Sequence, residues 1–216
     1  MIKVENIEVF GWEAAIRGMR NPMNSWGKSD SCYAAGNGFY HPKEFCFVIG
    51  LNDLDLMQRL YKGGTEHRKY LRMIHIQMDI TAPLYWWKEF DTYKVGTTAN
   101  SCSTMHKIHA KEFTLNDFSY EHLYDDSLEV LDKLIERLNV ARKLFVGTKN
   151  KDYWWQMIQL IPSSYNQRRT VDFSYETVVN IIMQRCNHKL DEWREFVELL
   201  LDLPYVKDIM GVKKCG

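Results

Sequence analysis

No two of the five cysteines (Cys32, Cys46, Cys102, Cys186, Cys215) stand in a C-x-x-C pair, and their number is odd. That pattern argues against a disulfide framework and against a structural zinc site. Neither sign of charge is in excess, with 28 Lys and Arg balancing 28 Asp and Glu. A general nucleic-acid or membrane-surface role, which needs a basic excess, is therefore not expected. No apolar run approaches the roughly 20 residues that span a bilayer. The opening residues MIKVENIEVFGWE carry charges throughout and do not make the apolar core of a signal peptide, so the expected location is cytoplasmic. There are no internal repeats and no low-complexity linkers. The pair His106-x-x-His109 lacks a third ligand at a persuasive offset, and no metal site is expected there.

Aromatic residues, by contrast, are abundant: 7 Trp, 12 Tyr and 10 Phe in 216 residues that are 45% hydrophobic. A single domain with a sizeable core is expected. The stretch from Thr81 to His109, TAPLYWWKEFDTYKVGTTANSCSTMHKIH, begins apolar and aromatic and then turns to small hydroxyl and amide residues: Thr97, Thr98, Asn100, Ser101, Ser103 and Thr104. A run of that kind has little to bury and many hydrogen bonds to offer. It reads either as a plain solvated loop or as a loop that holds a phosphate or sugar.

The rest of the chain is read from periodicity and punctuation. Residues 2–10 alternate like a short strand, and residues 12–20 resemble a short helix stopped at Asn21-Pro22. Residues 21–46 look irregular and surface-lying, and His41-Pro42 leads into FCFVIG (45–50), expected as a buried strand. Asn52-Asp53 are placed to cap a helix over 54–62 that ends at Gly63-Gly64. Residues 72–81 alternate for part of their length, with Met73, Ile74, Ile76, Met78 and Ile80 apolar and His75, Gln77 and Asp79 between them, as in a strand with one wetted face. A helix carrying Leu84, Trp86, Trp87 and Phe90 follows over 83–92. Helices are expected over 126–146 and 151–161, then a loop SSYNQRRT containing Arg168 and Arg169. One last long helix is expected from Ser174 to Leu203. Strands and short helices first, long helices later, is the order of an α+β protein: an antiparallel or mixed sheet with long packed helices.

On that last helix, Arg185, His188 and Glu192 fall at i, i+3 and i+7, along one face. The middle of the helix is polar (Gln184, Arg185, Asn187, His188, Lys189) while its ends are apolar. Two readings stand side by side: a solvated charge pattern, or a ligand site in which Arg185 grips a phosphate and His188 meets a heterocycle.

Taken together these stretches resemble the flavin-dependent (alternative) thymidylate synthase family. The family's strand ending in Ala-Pro and its aromatic helix are matched by Ala82-Pro83 and residues 84–90. Its downstream Leu-Pro is matched by Ile161-Pro162. Its last motif, L-R-x-x-x-H-A-Q-x-E, is matched by Arg185, His188 and Glu192 with one residue deleted. AIRGMR at 15–20 is similar to the family's A-x-R-A-A-R, and Gly64-Thr65-Glu66-His67 to its G-H-E-T region. Against the motif R-H-R-x-x-S-x-N-x-x-S-x-R the chain reads Thr92-Tyr93-Lys94, then Thr98, Asn100 and Ser103, with Met105 where the closing arginine stands.

The resemblance implies an enzyme that reductively methylates dUMP to dTMP with FAD, taking the carbon from methylenetetrahydrofolate and the hydride from NADPH. It also implies a homotetramer with shared active sites. By position in the motifs it assigns Lys94, His67 and His188 to the cofactor. Thr98, Asn100, Ser103 and Arg185 fall to the nucleotide, Ser103 and Arg185 being nearest the chemistry. The altered R-H-R leaves two further readings open: a nucleotide-binding homologue without the methylation activity, or a flavoenzyme acting on another pyrimidine nucleotide.

Overall fold

Strand β1 (Lys3–Phe10) and helix α1 (Trp12–Arg20) open the chain as their periodicity predicts. The computed structural model describes residues 2–35 and 45–212. Between β1 and α1 the chain turns at Gly11, whose φ of 95° lies in the left-handed region. A Cβ there would collide with the carbonyl oxygen of Met73. Both demands fall on glycine alone, so Gly11→Ala is expected to cost about 1–3 kcal/mol, read as a lower urea midpoint with an unchanged m-value.

Two short strands, β2 (Cys32–Ala35) and β3 (Phe45–Val48), pair antiparallel with Cys32 opposite Val48 and Tyr33 opposite Phe47. The FCFVIG stretch is thus a strand, but Val48 is 40% exposed, so it is not the buried strand the apolar run predicts. The irregular segment expected over 21–46 in fact holds two 3₁₀ turns, Asn21–Met23 and Trp26–Lys28, and strand β2. Residues 36–44, including His41-Pro42, lie outside the described residues.

Helix α2 (Leu51–Lys62) starts earlier than Asn52-Asp53 predict, with Gly50 as its N-cap and Gly63 as its C-cap. Asp53 caps nothing because it is fully buried inside the helix, where its carboxylate meets Arg20 at 2.6 Å. A 3₁₀ turn (Lys69–Met73) precedes β4 (His75–Pro83), so the expected strand over 72–81 begins and ends slightly later. Its alternation holds from His75 on, with Ile76, Met78 and Ile80 buried and His75, Gln77 and Asp79 not, whereas Met73 falls in the preceding turn and is exposed. Helix α3 (Leu84–Phe90) buries Trp86, Trp87 and Phe90.

The polar stretch expected as a loop carries strand β5 (Thr97–Ser101). Helices α4 (Asp125–Thr148) and α5 (Lys151–Leu160) match their patterns and pack on each other. The segment read as a loop around Arg168 and Arg169 is strand β6 (Asn166–Ser174). The final long helix is two: α6 (Tyr175–Arg185) and α7 (Asp191–Leu201), followed by α8 (Val206–Met210).

The four long strands form one antiparallel sheet in the order β1-β4-β6-β5, which makes this an α+β fold. The described residues divide into two compact units: 2–4, 80–92 and 99–170 in the first, 5–35, 45–79, 93–98 and 171–212 in the second. Within the first, Leu131, Ile135, Leu138 and Ala141 of α4 meet Ile108, Phe113, Phe118 and Met157 in a closed apolar cluster. Within the second, the buried side chains include Trp12, Met57, Ile76, Phe173, Tyr175, Trp193 and Phe196. Burying each large side chain of this kind contributes about 1.5–3 kcal/mol. Among the described residues no helix is long and apolar enough to cross a membrane.

Candidate functional site

The polar centre of the last helical region decides the geometry. Between Gln184 and Lys189 the sequence offers no apolar residue but Cys186, so there is no stripe to hold a helix against a core there. The chain breaks, and the corner is pinned by Arg194, whose Nη1 donates to the carbonyls of His188 at 2.6 Å and Lys189 at 3.1 Å. Asp191 and Glu192 then open α7 with negative charge, which suits a helix N-terminus. Arg185, His188 and Glu192 consequently do not share one helical face. Arg185 ends α6, His188 sits in the corner, and Glu192 is buried in the first turn of α7.

The corner nevertheless gathers two of the three. The Arg185 guanidinium lies 4.8 Å from the Trp193 ring centre and 5.7 Å from that of Tyr93. The His188 ring meets Trp193 edge-on at 6.1 Å. Arg185 Nε donates to the Tyr93 hydroxyl at 3.0 Å, and that hydroxyl donates to Gln184 Oε1 at 3.0 Å. His188 Nδ1 accepts the Leu190 amide at 3.2 Å, which places its ring proton on Nε2 when neutral. The result is a half-buried cation held against aromatic faces, worth about 0.5–2 kcal/mol per aromatic contact.

Lys94 follows Tyr93 directly and is exposed. Thr98 and Asn100 are exposed on β5, two residues apart and so on the same side of the strand. β5 is the last strand in the sheet order, so one side of its backbone retains donors and acceptors outside the ladder. Ser103, just past β5, accepts the amides of Met105 at 3.2 Å and His106 at 2.9 Å, and so closes a local turn. His67 stands beyond the C-terminal end of α2, exposed, with its ring against Gly63. Arg185 and His188 are thus joined through Trp193. His67, Lys94 and Thr98 belong to the same compact unit, and Asn100 and Ser103 belong to the other.

Sequence reasoning missed Tyr93 and Trp193 as members of the site. Tyr93 stood only as a departure from a motif, and Trp193 was not singled out at all; neither pairing with Arg185 has a local signal. It also missed a second cation–aromatic arrangement. Arg169 lies 4.2 Å over the Trp87 ring, donates to Asp91 at 2.7 Å and to Gln167 Oε1 at 2.9 Å, while Trp87 Nε1 donates to the Gln167 carbonyl. These interactions tie α3 to β6 and engage the guanidinium through its Nε, one Nη and its face, which suits Arg169 to a structural role.

Comparison with known proteins gives the fold independently. No protein-family model matches the sequence, and no curated protein does. Among solved structures, thymidylate synthase X (ThyX) from Helicobacter pylori with FAD and dUMP aligns at a TM-score of 0.67 and 17% identity, covering 97% of each chain. A second structure of the flavin-dependent thymidylate synthase ThyX from Helicobacter pylori, also with FAD and dUMP, aligns at 0.65 and 16% identity, covering 95% of this chain and 97% of that one. Over nearly its whole length, then, the chain has the fold of flavin-dependent thymidylate synthase, at low sequence identity, as the dispersed motif resemblance predicts.

Proposed function

We propose that this chain binds FAD and dUMP and catalyses the reductive methylation of dUMP to dTMP, with methylenetetrahydrofolate as carbon source and NADPH as hydride source. The observation that carries this reading is Arg185, whose guanidinium is held by Tyr93 and Trp193 in a fold shared with proteins that contain FAD and dUMP. The donor set fits ligands that bear phosphate. Lys94 offers a compact exposed cation, Thr98 and Asn100 offer hydroxyl and amide groups along an edge strand, and Arg185 offers a planar cation.

In this reading Lys94, His67 and His188 hold FAD, which when bound supplies the electron-carrying chemistry. Arg185 opposes negative charge on the nucleotide. Thr98 and Asn100 orient it by hydrogen bonds. Ser103, whose oxygen already accepts two amides, is left to donate its hydroxyl proton and orient substrate rather than to act as a nucleophile. Assembly as a homotetramer with shared active sites, in the cytoplasm, belongs to the same reading.

A second reading, a nucleotide-binding homologue without methylation activity, draws on one observation. Tyr93 stands where the family has the histidine of R-H-R, and its hydroxyl is spent on Arg185 and Gln184. A flavoenzyme acting on another pyrimidine nucleotide is the third. Purified protein and tritium release from C5 distinguish them. The first reading expects a yellow protein that releases tritium from C5-labelled dUMP and forms dTMP. Release from labelled dCMP instead points to the third. Binding of dUMP by a colourless protein that takes up no added FAD overturns the first in favour of the second.

A further inference from the structure

We propose that Tyr93 is a positioning residue for Arg185, taking the Nε–H of its guanidinium and being itself held by Gln184. This rests on the nucleotide-binding reading above and adds a residue to it.

Arg185 is the last residue of α6, with only the corner beyond it. A long side chain there has rotamer entropy to lose on binding a ligand, and one already held in place loses less. Aromatic faces constrain where the guanidinium lies. The acceptor of its Nε–H constrains how it is turned, and that acceptor is the Tyr93 oxygen at 3.0 Å. The phenol is fixed in turn, because its proton is directed to Gln184 Oε1 at 3.0 Å. Gln184 is the neighbour of Arg185 in the chain, so the three side chains close a small ring of interactions on one helix end. The Tyr93 and Trp193 rings lie 6.1 Å apart, so the cation is bounded by both. A phenol suits this place because one oxygen accepts from the arginine while its own proton goes to the glutamine. An imidazole can also accept on one nitrogen and donate from the other. A phenyl ring can do neither.

The test uses the full chain labelled with ¹⁵N-arginine, the Arg185 Nε–H resonance being identified by its loss in Arg185→Lys. Tyr93→Phe is expected to lose that resonance to solvent exchange and to weaken dUMP binding about tenfold by calorimetry, the worth of one charge-assisted hydrogen bond. Its melting temperature is expected to move by no more than about 3 °C. Tyr93→His is expected to keep the resonance and to bind dUMP within about threefold of the parent. A Tyr93→Phe protein that keeps the Arg185 resonance overturns the proposal. If that variant nonetheless loses dUMP affinity, Tyr93 touches the ligand itself. If the parent chain binds no dUMP, the nucleotide reading fails alone, and the Nε–H comparison still decides whether Tyr93 positions Arg185.

Discussion

Asp53→Ala is expected to destabilise the protein by about 3–5 kcal/mol, because it strands a buried cation. Arg20 is 4% exposed and Asp53 is fully buried. Their pairing is not isolated. Asp53 Oδ1 takes Arg20 Nε, while Oδ2 takes the hydroxyls of Ser29 and Ser31 and the amides of Asp30 and Ser31. Arg20 sends its remaining nitrogens to the carbonyls of Ser25 and Lys28. One carboxylate therefore organises the segment from Ser25 to Ser31 against α1 and α2. Alanine leaves a guanidinium without its counter-charge and several donors without acceptors. In a chain of this length the loss corresponds to a melting temperature lower by roughly 10 °C, measurable by calorimetry or urea denaturation. The exposed pair Arg59–Asp55 is the control: at 67% and 64% side-chain exposure its removal is expected to leave the urea midpoint within error of the parent.

The same carboxylate gives a signed pH dependence. Burial alone would raise its pKa, but the hydrogen bonds from Ser31, Ser29 and Arg20 outweigh burial and hold it below the ordinary 3.8. A carboxyl with a depressed folded pKa contributes stability that is full above its unfolded pKa and is lost as pH falls through the folded one. Asp53 should therefore support the fold down to below pH 3.8, and that part of the acid limb should vanish in Asp53→Asn.

On the proposed function, Arg185→Ala is expected to lower kcat/KM for dTMP formation at least about 100-fold, the scale expected when the transition state is deprived of a charge-assisted hydrogen bond. The variant should fold. Its side chain ends a helix and is half-buried, and its removal forfeits contacts at that corner, with Trp193 and Tyr93 among them, rather than a core residue. Arg185→Lys should recover little, since lysine has neither the planar fork nor the Nε–H that Tyr93 accepts. The check is growth of a thymidine-requiring bacterium on each variant, with steady-state kinetics on the purified proteins. Turnover by Arg185→Ala equal to the parent would remove Arg185 from the site.

How far each element is legible in the sequence varies with how much local pattern it carries. α4 announces itself through Leu131, Ile135, Leu138 and Ala141, and β4 through its strict alternation. Strand β6 does not, because its first half, Asn166-Gln167-Arg168-Arg169, looks like a solvated turn. It enters the sheet because Gln167 and Arg169 find partners across the fold: Gln167 Nε2 reaches the Cys102 carbonyl, and Arg169 lies on Trp87 beside Asp91. No short-range signal encodes those partners. β5 is hidden in the same way, its hydroxyl and amide residues reading as loop until β6 is there to pair with. The break in the last helix is written in the sequence as its polar centre, but the same residues also fit a continuous helix with a wet face. The candidate residues Arg185 and His188 can be picked out of the sequence, but that both border Trp193 cannot. Nor can the internal geometry of the site, since Tyr93 meets Arg185 across a large separation in sequence.

The division of the chain into two compact units has a practical consequence for anyone cutting it. The first unit is assembled from residues 2–4, 80–92 and 99–170, and the second from the stretches in between and after. Strands β4 and β6 each contribute residues to both. Neither unit is a single contiguous stretch of sequence. A fragment long enough to contain one unit whole therefore carries a large part of the other as well, and a single cut does not yield one unit by itself.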